Sequence, residues 1–473
     1  MRRTLQHTKI TFTIGPATES EEMLEKLILT GVDLCRLNMA HGNHDWVRTV
    51  VRRIKTVCGR IGRHIAIMMD VKGPEIRTGD LATPILLEKG QILDFITEQG
   101  QPAGDGHACV SVNYPDLPRD VIVGNTVLVD SGLIRLEVLE THVGRVRCRV
   151  NVPSKLSSRR HLNLPGVKVN LPALTMKDRA DIEVGIAEGI DFIALSFVRE
   201  ANDIDLLRRF LTERKSLARI IAKIEDQSAI ENLEEIVSAS DGLMVARGDL
   251  GIECPYEELP IIQRRAIQQC IIHRKPVIVA THMLESMISS PVPTRAEVSD
   301  IANAALEQTD CIMLSGETTT GKYPLECVQT MQRIVRRIEA AGELHPTPSP
   351  LLKTHKDKLL GAAARLAQED HHSGILVFTR NGNLPAVLSA LRPRHCPIYA
   401  FTDVEHVFKQ LLLHWGVEPF LMEFSKDYEQ TILDAFEYLK RREWVQVRDW
   451  LVVVTNVIMG EKLIDTIQLR EVE

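Results

Sequence analysis

The chain alternates short apolar segments with amphipathic ones, and the number of these units restricts the folds open to it. Eight apolar runs of strand length occur between Lys9 and Ala341, namely KITFTIGP, VDLCRLNM, HIAIMMDV, DFIALSFV, ARIIAKIE, GLMVARG, PVIVAT and DCIMLSG. Most are rich in Val and Ile and barely alternate with polar residues, as expected for strands buried on both faces. Eight strand–helix units close a parallel barrel, so this region is predicted to be an α/β fold of the (β/α)8 TIM barrel type.

The segments between these runs have the apolar spacing of helices that bury one face. The clearest helical patterns cover residues 20–30, 43–58, 175–188, 204–215 and 256–273. Thr175 with Asp178, and Thr294 with Glu297, match the capping box that begins many helices. Pro324 is predicted to lie in the first turn of the last barrel helix.

Two further domains are predicted around this barrel. After Asp70, about one hundred residues precede the next barrel helix, near Thr175. Their alternating strands with Gly-containing turns indicate an inserted small β-barrel domain of antiparallel strands. A proline-rich polar linker follows the barrel, and a smaller α/β domain follows the linker. The predicted boundaries are 1–71 and 168–342 for the barrel, 72–167 for the insert, 343–356 for the linker and 357–473 for the C-terminal domain.

Charge and cysteine content exclude several classes of function. The net charge of −6 gives no basic surplus, which argues against a nucleic-acid partner. No apolar run is long enough for a membrane span, and the basic N-terminus is not followed by the apolar core of a secretory signal. Nine cysteines without a CxxC pair are typical of reduced thiols. The predicted location is therefore cytoplasmic.

Polar residues cluster where the barrel strands are predicted to end, which is where active sites of this fold lie. These positions are Arg36, Asn38, Asp70, Lys72, Lys223, Glu225, Arg247, Gly248, Asp249, Thr281, Ser315 and Glu317. Lys223 and Glu225 are two residues apart, so both project to one face of a strand. These residues could instead be structural ion pairs that close the barrel mouth. Because many strand ends carry polar or charged residues together, a polar functional site is the favoured interpretation.

Two carboxylates on adjacent strands, Glu225 and Asp249, have no His or Cys beside them. This donor set suits Mg²⁺, with Mn²⁺ possible, although the acids could instead only cap Lys223 or Arg247. Lys223 beside the ion would place positive charge where an oxyanion develops. Arg36 has the geometry to hold a phosphate or carboxylate.

The chain resembles the pyruvate kinase family over nearly its whole length. The segments that carry the resemblance are TKITFTIGPAT, RLNMAHG, DVKGPEIRTG, NLPG, AKIED, VARGDLGIE, ATHMLESM, PTRAEVSDIANA and MLSGETTTGKYP. The resemblance implies transfer of the phosphoryl group of phosphoenolpyruvate to ADP, Mg²⁺ and K⁺ as cofactors, and a homotetramer. An aldolase or lyase acting on a pyruvate enolate, and a homologue that has lost catalysis, are the alternative functions.

The resemblance also implies roles for individual residues. Lys223 is similar to the lysine that stabilises the enolate, and Thr281 to the threonine linked to its protonation. Glu225 and Asp249 are similar to the Mg²⁺ ligands, and Gly248 lies in the backbone near the substrate carboxylate. The remaining implied roles are phosphoryl binding for Arg36, K⁺ binding for Asn38, Asp70 and the carbonyl of Val71, nucleotide binding for Asn38, His41, Arg77 and Arg159, and support of the site for Ser315 and Glu317.

Six positions depart from the family pattern. Ala40 replaces a serine, which removes one oxygen from the implied K⁺ site, while Glu75 matches the K⁺-dependent form. The resemblance therefore predicts K⁺ activation with weak affinity. Arg159, Arg160 and His161 replace the usual Lys-Lys-Gly before the NLPG segment. Asp226 replaces an asparagine, and His282 replaces a glutamine beside Thr281.

Overall fold

The computed structural model describes residues 6–98, 100–102, 104–369, 374–459 and 462–473. Eight parallel strands form a closed barrel in which each strand pairs with its neighbours in the series. In chain order they are Lys9–Thr13, Leu34–Asn38, Ala66–Asp70, Phe192–Leu195, Arg219–Ile224, Gly242–Ala246, Val277–Ala280 and Cys311–Leu314. The predicted barrel is confirmed, and we call these the first to eighth strands.

Helices follow the strands and surround the barrel. Their bounds are Glu21–Thr30, His44–Ile61, Met176–Ala187, Ala201–Glu213, Gln227–Glu231, Leu233–Ala239, Arg247–Glu253, Leu259–His273, Arg295–Leu306, Gly316–Thr319 and Pro324–Ala341, with short 3₁₀ turns at Tyr256–Glu258 and Glu285–Ile288. Both predicted capping boxes form, at Thr175 and at Thr294. Pro324 is the first residue of the last barrel helix, as predicted.

The insert between the third strand and its helix is the predicted small β domain, with its own apolar core. Its strands are Ile85–Leu87, Ile92–Ile96, Ala108–Ser111, Thr126–Val129, Ile134–His142, Arg145–Val152, Ser154–Leu156 and Leu162–Asn163, and Leu117–Asp120 is a helical turn. Hydrogen bonds divide these strands into a six-stranded and a two-stranded sheet. The prediction of purely antiparallel pairing is wrong at one place, because Ile92–Ile96 and Ala108–Ser111 run parallel. A connection longer than a hairpin turn joins these two strands, which allows the parallel direction.

The C-terminal domain is the predicted α/β unit. Its helices are His355–Glu369, Asn383–Ala390, Glu405–Leu411 and Tyr428–Arg441, and its strands are Gly374–Phe378, Ile398–Thr402, Val417–Leu421, Trp450–Met459 and Lys462–Glu471. Four of these strands are parallel, and the last pairs antiparallel with the strand before it. None of the helices within the described ranges is both long and apolar enough to cross a bilayer.

The C-terminal domain packs on the end of the barrel where the strands begin. Phe408, Leu412 and Leu413 join the apolar cluster that fills the barrel interior. Arg392 and Asp310 form an ion pair in which both side chains are only 2% exposed. The amino-terminal end of the barrel is therefore covered by protein, which leaves the carboxyl-terminal end, beside the insert, for a substrate.

Candidate active site

A buried ammonium group lies at the carboxyl-terminal end of the fifth strand. Lys223 Nζ is 2.8 Å from Glu225 Oε1 and 3.2 Å from Asp70 Oδ1. It also donates a hydrogen bond of 2.8 Å to Ser196 Oγ. Lys223 and Glu225 are on the same face, as their spacing predicted, and Asp70 reaches them from the third strand. The barrel closure brings these groups together across about 150 residues of sequence.

Arg36 completes this cluster from the second strand. Its Nε donates to Asp70 Oδ2 at 2.7 Å, and one terminal nitrogen donates to Thr13 Oγ1 at 3.2 Å. The side chain keeps 12% of its surface exposed. Arg36 therefore has buried partners that fix its orientation, while a small part of its side chain stays exposed.

The charges of the cluster control one another's pKa values. Burial by itself would raise the pKa of Asp70, but the nearby Lys223 and Arg36 outweigh burial and lower it. Burial by itself would lower the pKa of Lys223, but Asp70 and Glu225 raise it overall. Lys223 therefore remains an ammonium group in a site with little water, where a positive charge acts most strongly on a developing oxyanion.

Glu225 is buried and its pKa behaves differently. Burial raises the pKa of this carboxyl group, and the charge of Asp249 raises it further against the opposing effect of Lys223. Its Oε2 accepts a hydrogen bond of 2.7 Å from the backbone N–H of Phe197, which has a left-handed φ of 54°. A buried acid held next to a second acid is costly to ionise unless a cation joins the pair.

Asp249 supplies that second acid. The sixth strand ends at Ala246, and Arg247, Gly248 and Asp249 begin the short helix Arg247–Glu253 rather than ending the strand. The Asp249 side chain has no hydrogen bond or ion pair among the residues that the structure describes, so its oxygens are available. Glu225 and Asp249 line different cavities, of about 510 and 640 Å³, although they are close enough to interact electrostatically.

The two acids fit Mg²⁺ as a ligand set. Each Glu225 oxygen makes one hydrogen bond or ion pair and keeps a lone pair, and Asp249 is unpaired within the described chain. No cluster of three or more His, Cys, Asp or Glu residues suited to a metal occurs in the described ranges. Two protein carboxylates with the other positions filled by water and substrate oxygens is a typical Mg²⁺ arrangement.

Thr281 follows the seventh strand in a left-handed conformation, with φ of 72°. Its Oγ1 accepts a hydrogen bond of 2.7 Å from the N–H of Gly248 and donates one of 2.6 Å to Ala280 O. His282 is also left-handed, with φ of 56°, and lines the same cavity as Gly248, Asp249 and Thr281. Consecutive left-handed residues that are not glycine are strained, and such strain is concentrated at functional sites.

Arg247 and Glu317 hold this strained segment in place. Arg247 donates to Thr281 O at 2.6 Å and to Asp300 Oδ1 at 2.7 Å. Glu317 is buried and accepts hydrogen bonds from the N–H groups of Leu284 and Ser315, at 2.9 and 2.7 Å. Glu317 thus orients the Thr281 loop through the backbone, whereas the Ser315 hydroxyl is buried with no partner among the described residues.

The residues expected to bind K⁺ lie together but are partly used by other contacts. Asp70 is ion-paired as described above, and the Val71 carbonyl accepts a hydrogen bond of 2.7 Å from Ser196 Oγ. The Asn38 side-chain oxygen accepts from the N–H of Ala40 at 3.1 Å. These oxygens still have free lone pairs, so the set is compatible with a weakly bound monovalent cation.

The four expected nucleotide residues form two groups. Asn38 and His41 belong to the turn after the second strand, with the His41 N–H bonded to Asn38 O. Arg77 and Arg159 lie at the base of the insert, where an Arg77 guanidinium nitrogen donates to Arg159 O at 2.8 Å. No hydrogen bond or ion pair joins the two groups in the described ranges. The Arg159 side chain is 74% exposed and makes a two-point contact with Asp80.

Two functional contacts escaped the sequence reasoning. Ser196, just past the fourth strand, links Lys223, Asp70 and the Val71 carbonyl. A polar residue at that strand end was the available signal. Asp226 also has a role that its spacing could have shown, since its side chain caps the helix Gln227–Glu231 by accepting from the N–H of Ala229 at 2.8 Å.

Comparison with known proteins gives the family of the chain. The family profile described as "Pyruvate kinase, barrel domain" matches residues 5–328, and "Pyruvate kinase, alpha/beta domain" matches residues 357–469. Plastidial pyruvate kinase 2 of Arabidopsis thaliana is 41% identical over 98% of this chain and 81% of its own length. A pyruvate kinase of Staphylococcus haemolyticus is 42% identical over 97% of this chain and 79% of its own.

A solved structure gives the same result for the fold. The crystal structure of a pyruvate kinase from Cryptosporidium parvum superimposes with a TM-score of 0.91 at 34% identity, covering 99% of this chain and 96% of the other. Both family profiles together span most of the sequence. The chain therefore belongs to the pyruvate kinase family.

Proposed function

We propose that the protein is a pyruvate kinase that transfers the phosphoryl group of phosphoenolpyruvate to ADP, giving pyruvate and ATP. The observation that carries the proposal is the buried cluster of Lys223, Arg36 and Asp70 beside the acids Glu225 and Asp249. It supplies positive charge for a phosphoryl group and for an enolate at one end of the barrel.

In the proposed reaction the bond between phosphorus and the enol oxygen breaks, and a terminal phosphate oxygen of ADP takes the phosphoryl group. Arg36 binds the phosphoryl oxygens from its fixed position on the second strand. Lys223 holds its ammonium against the enol oxygen, where negative charge accumulates as the bond to phosphorus lengthens. Asp70 lies between these two groups and contacts both, and its charge raises the pKa of Lys223.

Glu225 and Asp249 would hold Mg²⁺, which supplies Lewis-acid neutralisation of the phosphoryl and enolate oxygens when bound. The remaining enolate takes a proton from solvent water at its methylene carbon, on the side of Thr281, which gives pyruvate. The Thr281 hydroxyl is held in this place because it accepts from the Gly248 N–H and donates to Ala280 O. The backbone N–H groups of Gly248 and Asp249 would hold the substrate carboxylate, because helix N-terminal N–H groups favour anions. For this the Gly248 N–H would exchange its bond to Thr281 Oγ1 for one to the carboxylate.

Residues outside this cluster complete the proposal. Asn38, Asp70 and the Val71 carbonyl would hold K⁺, which adds charge near the phosphoryl group. His41, Asn38, Arg77 and Arg159 would contact ADP. The insert would close over the barrel mouth and exclude water that could take the phosphoryl group.

Assembly, location and domain boundaries are also part of the proposal. The family resemblance supports a homotetramer, which light scattering on the purified protein would measure. A cytoplasmic location remains proposed, since the relatives include chloroplast and bacterial proteins. The domain limits 72–167 for the insert and 343–356 for the linker remain proposals that limited proteolysis would test.

A coupled assay for pyruvate, with phosphoenolpyruvate, ADP and Mg²⁺, tests the reaction directly. We expect pyruvate and ATP in equal amounts, and no pyruvate when ADP is omitted. Pyruvate formed by cleavage of a larger acid without ADP would instead support an aldolase or lyase, and no turnover at all would support a homologue without catalysis. None of the comparisons favours these two alternatives.

A further inference from the structure

We propose that Ser196 is a positioning residue for the reaction, and that its hydroxyl links the Lys223 ammonium to the oxygens that would hold the monovalent cation. This inference deepens the proposed function and rests on it. Ser196 comes directly after the fourth strand, at the carboxyl-terminal end of the barrel, and is only 3% exposed. None of the residue roles that the family resemblance implies falls on Ser196.

The Lys223 ammonium has three N–H groups and three acceptors in the described part of the chain. Two of the acceptors are carboxylate oxygens, Glu225 Oε1 at 2.8 Å and Asp70 Oδ1 at 3.2 Å. The third is Ser196 Oγ, at 2.8 Å. A hydroxyl accepts without carrying charge, so it directs one N–H group without neutralising the ammonium further. Ser196 is also the acceptor most easily exchanged for a substrate oxygen, because the bonds to the two carboxylates are stronger.

The hydroxyl proton of Ser196 points towards the proposed cation site. Ser196 Oγ is 2.7 Å from Val71 O and 3.3 Å from Asp70 Oδ1. A hydroxyl has one proton to donate, and only the shorter of these distances is usual for a bond between two oxygens. Ser196 therefore donates to Val71 O. The Lys223 ammonium, the Ser196 hydroxyl and the Val71 carbonyl form a chain in which each donor is followed by its acceptor.

The fourth strand holds the Val71 peptide on both sides. The Val71 N–H donates to Ala194 O at 3.1 Å, and the Val71 carbonyl accepts from Ser196. Gly73 lies so close that a Cβ atom there would be 2.9 Å from Ser196 Cβ, and it has a left-handed φ of 71°. The chain that enters the insert is thus packed directly on Ser196, which fixes the direction of the Val71 carbonyl.

The residue after Ser196 contacts a proposed Mg²⁺ ligand. The N–H of Phe197 donates to Glu225 Oε2 at 2.7 Å, and Phe197 has a left-handed φ of 54°. A strained conformation of this kind persists only where the surrounding contacts hold it. The turn at residues 196 and 197 therefore contacts the catalytic ammonium, a proposed Mg²⁺ ligand and a proposed K⁺ ligand.

The chain of hydrogen bonds gives the direction of the coupling. An enol oxygen of phosphoenolpyruvate that takes the N–H group from Ser196 would leave the hydroxyl a weaker donor, because successive hydrogen bonds polarise one another. The Val71 carbonyl would then offer more electron density to a monovalent cation. Substrate and cation should therefore increase each other's affinity, and by the same factor. Removing the hydroxyl removes this part of the coupling and leaves the direct attraction between charges.

The binding test uses the full-length protein with phosphoenolpyruvate and Mg²⁺ but without ADP, so that no turnover occurs. Tl⁺, a monovalent cation close in size to K⁺, is titrated with and without phosphoenolpyruvate and followed by thallium NMR. The proteins are the wild type, Ser196→Ala and the matched control Ser389→Ala. Ser389 is a buried serine at the other end of the barrel whose hydroxyl donates to Trp415 O at 2.9 Å and accepts from Arg392 at 3.3 Å.

We expect phosphoenolpyruvate to tighten Tl⁺ binding in the wild type and in Ser389→Ala. The factor by which it does so should be about three- to tenfold smaller in Ser196→Ala, which is the usual range for one hydrogen bond. The kcat of Ser196→Ala at saturating K⁺ should fall about tenfold, because one N–H group of Lys223 is no longer directed. Ser196→Cys, which has a weak donor and acceptor, should give intermediate values, and it replaces Ser196→Ala if that variant does not fold.

An equal coupling factor in the wild type and Ser196→Ala would overturn the proposal even if the protein makes pyruvate. A wild type in which phosphoenolpyruvate leaves Tl⁺ binding unchanged would overturn it too. An equal reduction in Ser389→Ala would also overturn it, since that result indicates a general effect of losing a buried hydroxyl. If the coupling behaves as expected but the protein makes no pyruvate, the link through Ser196 survives and the proposed function fails.

Discussion

Replacing Lys223 by methionine tests the centre of the proposed mechanism. Methionine keeps an unbranched apolar stem of similar length and removes only the ammonium group. In the structure that group contacts Glu225 at 2.8 Å, Asp70 at 3.2 Å and the Ser196 hydroxyl at 2.8 Å. The variant should therefore lose the charge at the enolate with little change in packing.

The expected loss of rate follows from the burial of the group. Removing one neutral oxyanion donor costs roughly 10²–10³ in kcat, and hydrogen bonds from charged donors are about twice as strong as neutral ones. Lys223 is a charged donor that is 90% buried in its side chain. We expect kcat to fall at least 10³-fold, which corresponds to about 4 kcal/mol of transition-state stabilisation.

The variant also loses stability, and a control must separate the two effects. Removing one partner of a buried ion pair costs about 3–5 kcal/mol. The cost should lie near the lower limit because Asp70 keeps Arg36 and Glu225 keeps the Phe197 N–H. Lys9→Met is a matched control, since Lys9 is a buried lysine at the other end of the barrel, bonded to Val417 O at 2.7 Å.

The assay measures kcat and KM for phosphoenolpyruvate at a temperature where circular dichroism shows both variants folded. We expect both to melt below the wild type, and only Lys223→Met to lose kcat. A kcat for Lys223→Met within tenfold of the Lys9→Met value would refute the assignment of Lys223 as the enolate-stabilising group. Pyruvate kinase activity with an unimportant Lys223 would then require another source of positive charge.

Three further outcomes are expected. Arg36→Lys should raise KM for phosphoenolpyruvate about tenfold in steady-state kinetics. The planar guanidinium of arginine can bond to Asp70 and to a phosphoryl group at the same time, whereas the single ammonium of lysine cannot. An unchanged KM would contradict the role of Arg36 in phosphoryl binding. The rate should rise with KCl at constant ionic strength, and Ala40→Ser should lower the KCl needed for half-maximal activation, whereas full activity without a monovalent cation would reject the K⁺ site. Burial raises the pKa of Glu253 to about 7 against the opposing hydrogen bond from Asn163. The stabilisation from protonated Glu253 is therefore fully present at low pH and is lost as pH rises towards and through that value. The melting temperature should fall less between pH 5 and 8 in Glu253→Gln than in the wild type, and an equal fall would contradict this.

The sequence predicted those features of the fold that depend on local patterns. Val- and Ile-rich runs that barely alternate with polar residues predicted the barrel strands. Capping boxes at Thr175 and Thr294 predicted where two helices begin, and the structure confirms both. The parallel pair in the insert was missed because strand direction depends on the path of the connection, which alternation does not encode.

The candidate site was predictable in composition but not in its contacts. The positions of Lys223 and Asp249 relative to the strand ends followed from the barrel rule. The interaction of Asp70 with both Lys223 and Arg36 depends on which strands become neighbours across the closed barrel and on rotamers that sequence spacing does not fix. Ser196 was missed for the same reason, since its importance lies in three long-range hydrogen bonds.

Buried ion-pair systems lie at both ends of the barrel. A comparison of the two shows why the system at the carboxyl-terminal end is best explained by function. At the junction with the C-terminal domain, Arg392 contacts both oxygens of Asp310 and the carbonyl of Ser389, and Asp310 also accepts from the Trp415 N–H. That arrangement joins two domains and nothing more is needed to account for it.

The ion-pair system at the carboxyl-terminal end of the barrel has a different charge pattern. Burial and a neighbouring acid raise the pKa of Glu225 even though Lys223 is 2.8 Å away, and Asp249 has no partner within the described chain because Lys223 and Arg36 contact other acids. Apolar residues of similar volume often match or exceed the stability of buried charges, so stability alone does not account for charged groups that lack partners. A divalent cation and a phosphorylated acid would supply the missing charges of both signs. Mg²⁺ should therefore raise the melting temperature of the wild type, and should do so much less in Asp249→Asn.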